Sequence, residues 1–173
     1  MFFKLHLFVQ RHMNSIVFRN LLFVFVVFNL DLLSFSSFCQ DKTEVNSLQK
    51  KLAAVNNAKD SIYILNSLSW EYQIIHLDSA ILFAGQALRI AERTNFKEGI
   101  SNACTMLGMA YEYKGDYASS LESHQRALQL KKDLNDNRGV SISLEYLGRV
   151  HDVTGNYPKA LEYYQQALSI CEK

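Results

Sequence analysis

The side chains that could perform acid–base, nucleophilic or metal chemistry are few in this sequence, and their spacing suits none of these reactions. His76, His124 and His151 do not form His-Glu-x-x-His, the pattern that puts two histidines on one helix face to bind zinc. Glu122 and His124 are two positions apart, so in a helix they lie on different faces. No cysteine pair has metal-binding spacing, and neither a glycine-rich phosphate loop nor a Gly-x-Ser-x-Gly motif occurs. We therefore predict no enzyme activity and no catalytic, metal or cofactor site, and we interpret His124 and Cys104 as packed side chains.

The overall composition excludes several other classes of protein. Eighteen Lys and Arg against seventeen Asp and Glu leave a net charge of +1, so no basic surface for nucleic acid or anionic lipid is expected. Seven Gly and one Pro in 173 residues are too few for a turn-rich β-sandwich or barrel. What remains is a mostly helical globular chain with no nucleic acid among its partners.

The apolar residues concentrate at the start of the chain. Nine of the eleven Phe lie in residues 1–39, and the first 30 residues contain no acid. Three bases precede an uninterrupted apolar run at 21–28, and the small residues Ser37 and Cys39 follow it. This order is typical of a secretory signal peptide. We predict a signal peptide over residues 1–39, cut after Cys39, and export across the bacterial inner membrane to the periplasm or the exterior.

Other interpretations of this segment stay open. If Asp31 is tolerated, the apolar stretch becomes long enough for an uncleaved anchor, and the protein then contacts the membrane through this segment alone. A buried helix of the fold is the third interpretation. Lipidation of Cys39 is a minor option, because Phe38 stands where lipoprotein signals need a small residue. Met13 is an alternative start that would put Arg19 directly before the apolar core.

A forty-residue period runs through the rest of the chain. Three blocks recur at a constant offset of 40, namely 107–111 at 147–151, 115–117 at 155–157 and 127–130 at 167–170. An earlier copy keeps that offset at Ala87 but has an offset of 39 at Leu68, so its central turn is one residue shorter. Apolar residues in each block fall at helical spacing, and Gly115-Asp116 predicts a turn followed by a helix cap. Each copy therefore predicts two helices.

The small residues of this period predict how the helices pack. Gly108 and Gly148 stand in the middle of the first helix of their copies, where glycine costs about 1 kcal/mol relative to alanine. A close approach of another helix is the simplest compensation. Pro158, the only proline, falls in the first turn of a predicted helix, where its missing N–H costs nothing.

The pattern resembles the tetratricopeptide repeat family. The residues that carry the resemblance are Leu107-Gly108, Tyr111, Gly115-Asp116-Tyr117 and Ala127-Leu128, and in the last copy Tyr157, Ala160, Tyr164 and Ala167-Leu168. Ser120, His124 and His151 depart from the usual Ala, aromatic residue and Tyr. The resemblance implies an all-α fold, a right-handed superhelical stack of antiparallel helix pairs after an N-terminal signal helix. We predict three repeats over 61–173 (61–99, 100–139 and 140–173) and a capping helix within 40–60.

The resemblance also implies a non-catalytic module that binds a peptide or a protein on the concave face of the stack, which the first helix of each repeat lines. The residues predicted to form this face are Asn66, Trp70, Gln73, Asn102, Thr105, Met109, Glu112, Tyr113, Glu145, Arg149 and Asp152.

A second function is left open by the resemblance. The forty-residue repeat is similar to repeats in bacterial exported or membrane-bound sensor proteins. The alternative is therefore the input region of a signalling receptor, a histidine kinase, cyclase or transcription regulator, whose output domain is missing here. The last repeat has no capping helix in the sequence, and terminal repeats normally need a polar outer face. We expect a missing C-terminal part of the same protein to cover it, in preference to another subunit.

Overall fold

The computed structural model describes residues 43–172, and every regular element in that range is an α-helix. A short helix α1 at 43–54 is followed by six longer helices. Their bounds are α2 Ala58–Ile75, α3 Leu77–Arg93, α4 Lys97–Lys114, α5 Tyr117–Asp133, α6 Asn137–Val153 and α7 Tyr157–Cys171. The predicted all-α fold is confirmed, and the predicted signal segment, residues 1–39, lies outside the described part of the chain.

The helices pack in the order in which they follow along the chain. α2 with α3, α4 with α5 and α6 with α7 form pairs, while α4 also packs on α3 and α6 on α5. The first helices of successive pairs touch as well, α2 with α4 and α4 with α6. Because the connections are one to three residues long, consecutive helices run antiparallel. From Val45 onward the described residues form one compact unit, a stack of helix pairs.

The turns follow the chemistry that the sequence predicted. Gly115, at φ +81°, ends α4 in the left-handed conformation, and Asp116 caps α5 by accepting a hydrogen bond from the N–H of Ser119 at 3.1 Å. In the first pair a single residue, His76, connects the helices, which is one residue fewer than in the second pair. Asn156 occupies the N-cap position of α7, but its side chain makes no capping hydrogen bond.

Gly108 and Gly148 sit beneath aromatic rings of the paired helix. A Cβ atom on Gly108 would lie 2.5 Å from the His124 ring, and one on Gly148 would lie 2.7 Å from the Tyr164 ring. Since carbon atoms do not approach to these distances, only glycine fits while each ring keeps its place. The predicted close approach of the paired helices is therefore confirmed.

The helix α1 packs against the first pair. Val45 is buried, Leu52 contacts the core cluster that includes Ile62, and the Gln49 amide donates a hydrogen bond to the Tyr72 hydroxyl at 3.3 Å. The pairs span 58–93, 97–133 and 137–171, so each begins three residues before the predicted start of a repeat. Over residues 43–172, no helix combines the length and the hydropathy that a membrane crossing requires.

Candidate protein-binding surface

The structure divides the predicted surface residues by their exposure to solvent. Four are buried, namely Asn66, Gln73, Thr105 and Met109. Three are partly exposed, namely Asn102, Glu112 and Arg149, and four are exposed, namely Trp70, Tyr113, Glu145 and Asp152. The contacts available to a docking partner in this structure are those of the last seven.

The buried polar residues of α2 form a distinct group. Neither amide atom of Asn66, nor the Ser69 hydroxyl, nor the Gln73 amide nitrogen has a hydrogen-bond partner. Their exposure is too small for direct contact with a ligand in this conformation. Thr105 differs, because its hydroxyl donates to the Ser101 carbonyl within its own helix at 3.0 Å. The sequence placed these side chains on one face, but it did not predict their burial.

Large apolar side chains are exposed on α2 and α4. Trp70 is 51% exposed, Ile74, one helical turn later, is 92% exposed, and Tyr113 of α4 is 60% exposed. Ile74 and Tyr113 line the same open cavity of about 450 Å³. We call Trp70, Ile74 and Tyr113 the apolar strip. Exposed apolar groups of this size side by side are typical of an interaction site.

Sequence reasoning missed Ile74, although the repeat carries a signal that identifies it. Ile74 stands 39 residues before Tyr113, the offset found for the first helix of that copy, so the two share one repeat position. Val153 holds the same position in the third repeat, and it is exposed too. Three successive repeats therefore each present an apolar side chain at the end of their first helix.

A salt bridge joins the first helices of the second and third repeats. The Arg149 guanidinium donates from Nε to Oε1 of Glu112 at 2.7 Å and from Nη2 to Oε2 at 2.8 Å. This two-point geometry fixes the relative position of α4 and α6. The hydrogen bonds to Glu112 raise the pKa of Arg149. Arg149 also lies over the Tyr146 ring, 4.8 Å from its centre.

The His124 ring stacks on Tyr146, the residue that Arg149 also contacts. The two ring centres are 5.0 Å apart, and the His124 side chain is completely buried. Neither ring nitrogen has a hydrogen-bond partner. Burial, with a smaller contribution from the nearby Arg149 charge, lowers the pKa of His124 to about 4. His124 is therefore neutral near pH 7 and packs as an aromatic ring, as the sequence suggested.

The remaining chemistry-bearing residues are arranged for packing. Cys104 is buried, and burial raises the pKa of its thiol to about 11, so it is protonated at neutral pH. His151 is stacked on Tyr163 at 5.6 Å between ring centres. Within residues 43–172, no group of three or more His, Cys, Asp or Glu side chains is placed to hold a metal ion.

The fold and this surface define a helical-repeat protein of the tetratricopeptide class. Residues 101–173 match a tetratricopeptide repeat family, and residues 37–127, more than half of the chain, match the family described as the SusR N-terminal TPR domain. The chain belongs to the SusR N-terminal TPR domain family, so the predicted tetratricopeptide class is confirmed. No curated protein matches the chain significantly.

Solved structures agree with this class. The crystal structure of the TPR domain of Arabidopsis FLU aligns with a TM-score of 0.62 and 16% identity, covering 67% of this chain and 98% of that one. At that identity the likeness shows the fold alone. MamA aligns over 79% of this chain and 91% of its own with 15% identity, but its TM-score of 0.34 is too low to show a shared fold. Domains of this fold generally act as non-catalytic scaffolds for protein partners, which supports a protein-interaction module.

Proposed function

We propose that this chain is an exported module that binds an extended segment of a peptide or protein across the first helices of its repeats. The observation that carries the proposal is the apolar strip of Trp70, Ile74 and Tyr113. A docked segment would place apolar side chains on this strip. Beyond it lie the partly exposed Arg149 and the carboxylates of Glu145 and Asp152 in the third repeat.

The strip is large enough to anchor a partner. Its three side chains together expose the equivalent of two complete ones, and burying one large apolar side chain contributes about 1.5–3 kcal/mol. Covering the strip therefore contributes about 3–6 kcal/mol before the cost of association. Trp and Tyr are also the residue types most enriched among side chains that dominate binding energy.

The partner can be trapped by cross-linking in cells that export the protein. A photoreactive phenylalanine analogue at Tyr113 should cross-link a partner, whereas the same analogue at Leu82 should not, because Leu82 is 53% exposed on α3, outside the strip. Trp70→Ala should reduce the Tyr113 product, since it removes an anchor without changing the cross-linker. Equal cross-linking from both positions would contradict the proposed surface.

Export is the second part of the proposal. It is supported by the basic, apolar and small-residue order of residues 1–39. Residues 1–60 fused to alkaline phosphatase, which is active only after export, should give activity, and Val26→Asp in the apolar run should abolish it. A mature N-terminus at Gln40, read by mass spectrometry, would identify a cleaved signal, and a retained N-terminus would identify an anchor. An inactive fusion would refute export.

The alternative function is the input region of a bacterial signalling receptor. It is supported by the matched family, whose description places a TPR domain at the N-terminus of SusR. The test is the reading frame that follows codon 173. An in-frame continuation into an output domain would favour the receptor, and a stop codon would favour the free-standing module.

A further inference from the structure

Basic residues gather at one edge of the helix stack, although the net charge of the chain predicted no basic surface. Because consecutive helices run antiparallel, the turns that enter the three pairs lie side by side at one edge, and the turns within the pairs lie at the other. Nine Lys and Arg and four Asp and Glu surround the entering turns, in 50–59, 89–98 and 129–138. Two Lys and Arg and five Asp and Glu surround the turns within the pairs, in 71–80, 111–120 and 151–160. We call the first three segments the basic edge.

Most of the bases of this edge are free, whereas its acids are engaged within the protein. The four carboxylates each accept a hydrogen bond or form an ion pair at 2.6–3.1 Å, namely Glu92, Glu98, Asp133 and Asp136. Two bases are engaged as well, Lys131 with Asp136 at 4.0 Å and Lys59 over the Phe96 ring. The other seven bases are exposed and have no hydrogen-bond or ion-pair partner within residues 43–172. The basic edge therefore presents positive charge that the fold itself does not use.

Helix stability does not explain where some of these bases stand. Lys59, Lys97 and Arg138 lie in the first turns of α2, α4 and α6. The helix dipole favours acids at a helix N-terminus and disfavours bases there. Three successive repeats thus each carry a base that opposes the dipole of its own helix, which points to an anionic partner outside the fold.

We propose that the basic edge binds an anionic lipid surface. Helices pack 8–10 Å apart, so the three entering turns form a face about 20 Å wide, which suits a flat partner better than a single acidic peptide. Leu134, in the turn between α5 and α6, is 40% exposed and stands between Lys132 and Arg138. An exposed leucine among bases combines attraction to anionic headgroups with an apolar group that enters the lipid boundary.

The basic edge is separate from the surface proposed to bind protein. Ile74 and Tyr113 of the apolar strip lie in the last turns of α2 and α4, at the opposite edge of the stack. A membrane on the basic edge therefore leaves the apolar strip open, and this inference does not depend on the proposed function.

Flotation of residues 40–173 with lipid vesicles tests the proposal, because this range contains all of the compact unit that begins at Val45. We expect binding to vesicles of phosphatidylglycerol and phosphatidylcholine in equal parts at low ionic strength. The binding should be lost at about 1 M salt, where the Debye length falls to about 3 Å. Lys97→Gln with Lys132→Gln should weaken it about thirtyfold, since each base near an anionic surface contributes about fivefold. Lys114→Gln with Lys159→Gln is the matched control, because it removes the same charge from the opposite edge and should leave binding nearly unchanged.

A fluorescent reporter locates the contact. On a Cys171→Ser background, where the other described cysteine, Cys104, is buried, an environment-sensitive dye on Leu134→Cys should brighten when the mixed vesicles are added. The same dye on Leu82→Cys should not, because Leu82 is 53% exposed but lies on α3 outside the basic edge.

Several results would overturn the proposal. Equal loss of binding in the two double variants, or equal brightening at the two dye positions, would contradict a contact through the basic edge. No binding to the mixed vesicles at low ionic strength, or equal binding to phosphatidylcholine alone, would contradict an anionic lipid surface. Tighter binding to polyglutamate or to DNA than to the mixed vesicles would assign the edge to another anionic partner.

Discussion

Replacing Gly108 by alanine tests the packing on which the repeat depends. The added Cβ would lie 2.5 Å from Cε1 of His124 and 2.7 Å from both ring nitrogens. The ring must move by about 1 Å to restore ordinary contact, although Tyr146 is stacked on it. Such overpacking costs about 1–3 kcal/mol, against a gain of about 1 kcal/mol in helix propensity. We expect a net loss of stability of up to about 2 kcal/mol.

The first repeat shows that a larger residue fits at the Gly108 position when a small residue faces it. Where the second repeat has Gly108 beneath His124, the first has Ser69 and Ala84 at the corresponding positions, so a larger residue faces a smaller one. With His124→Ala in place, Gly108→Ala should therefore stabilise the protein by up to about 1 kcal/mol. The effect of one substitution changes sign between two backgrounds.

Urea unfolding of residues 40–173, followed by circular dichroism, measures these differences. Gly85→Ala in α3 is the matched control, because a Cβ atom added there would meet no neighbouring side chain within 4 Å, and it should stabilise in either background. If Gly108→Ala had the same sign with and without the His124 ring, the clash would not be the cause, and the account of helix packing would be wrong.

Substitutions in the core, at the salt bridge and at the helix caps provide three further tests. Burial lowers the pKa of His124 to about 4, below its unfolded value, so the free energy of unfolding should be full above pH 6.5 and fall by about 3 kcal/mol as the pH drops towards 4. Urea midpoints measured across this pH range should show the fall, and the His124→Phe variant should lack it. Arg149→Ala should cost about 1–2 kcal/mol by leaving the nearly buried Glu112 carboxylate unpaired, and a double-mutant cycle with Glu112→Gln should give a coupling energy distinct from zero. Asp136→Ala should lower the melting temperature through the loss of about 1 kcal/mol, because its carboxylate accepts the Gly139 N–H at 2.9 Å, whereas Asn156→Ala should cost less, since Asn156 makes no capping hydrogen bond.

The repeat could be predicted from the sequence because its determinants are local. The turn at Gly115 and the cap at Asp116 depend only on neighbouring residues. The contact between a glycine and the ring above it joins residues at a fixed separation within each repeat. The one-residue difference between two offsets even predicted the shorter turn at His76. These features follow from backbone geometry and close packing, which residue types report directly.

The surface could be predicted only in part, because exposure depends on what packs nearby. The sequence placed Asn66 and Trp70 on the same face, yet the first is buried and the second half exposed. Ile74 was missed since an apolar residue near a helix end is ordinarily assigned to the core. Glu112 and Arg149 were both selected, but their direct pairing depends on how far two long side chains from different repeats reach.

The most direct test of the proposed function uses the only tryptophan of the chain, Trp70, as the reporter. Peptides of about twelve residues, selected by display on residues 40–173, should shift the Trp70 emission to shorter wavelength on binding, because docking removes the half-exposed indole from water. Ile74→Ala should weaken that binding about tenfold, and the matched variant Leu82→Ala should not. Peptides that bind without changing the Trp70 emission, or that bind Ile74→Ala as tightly as the unmodified protein, would contradict docking on the apolar strip.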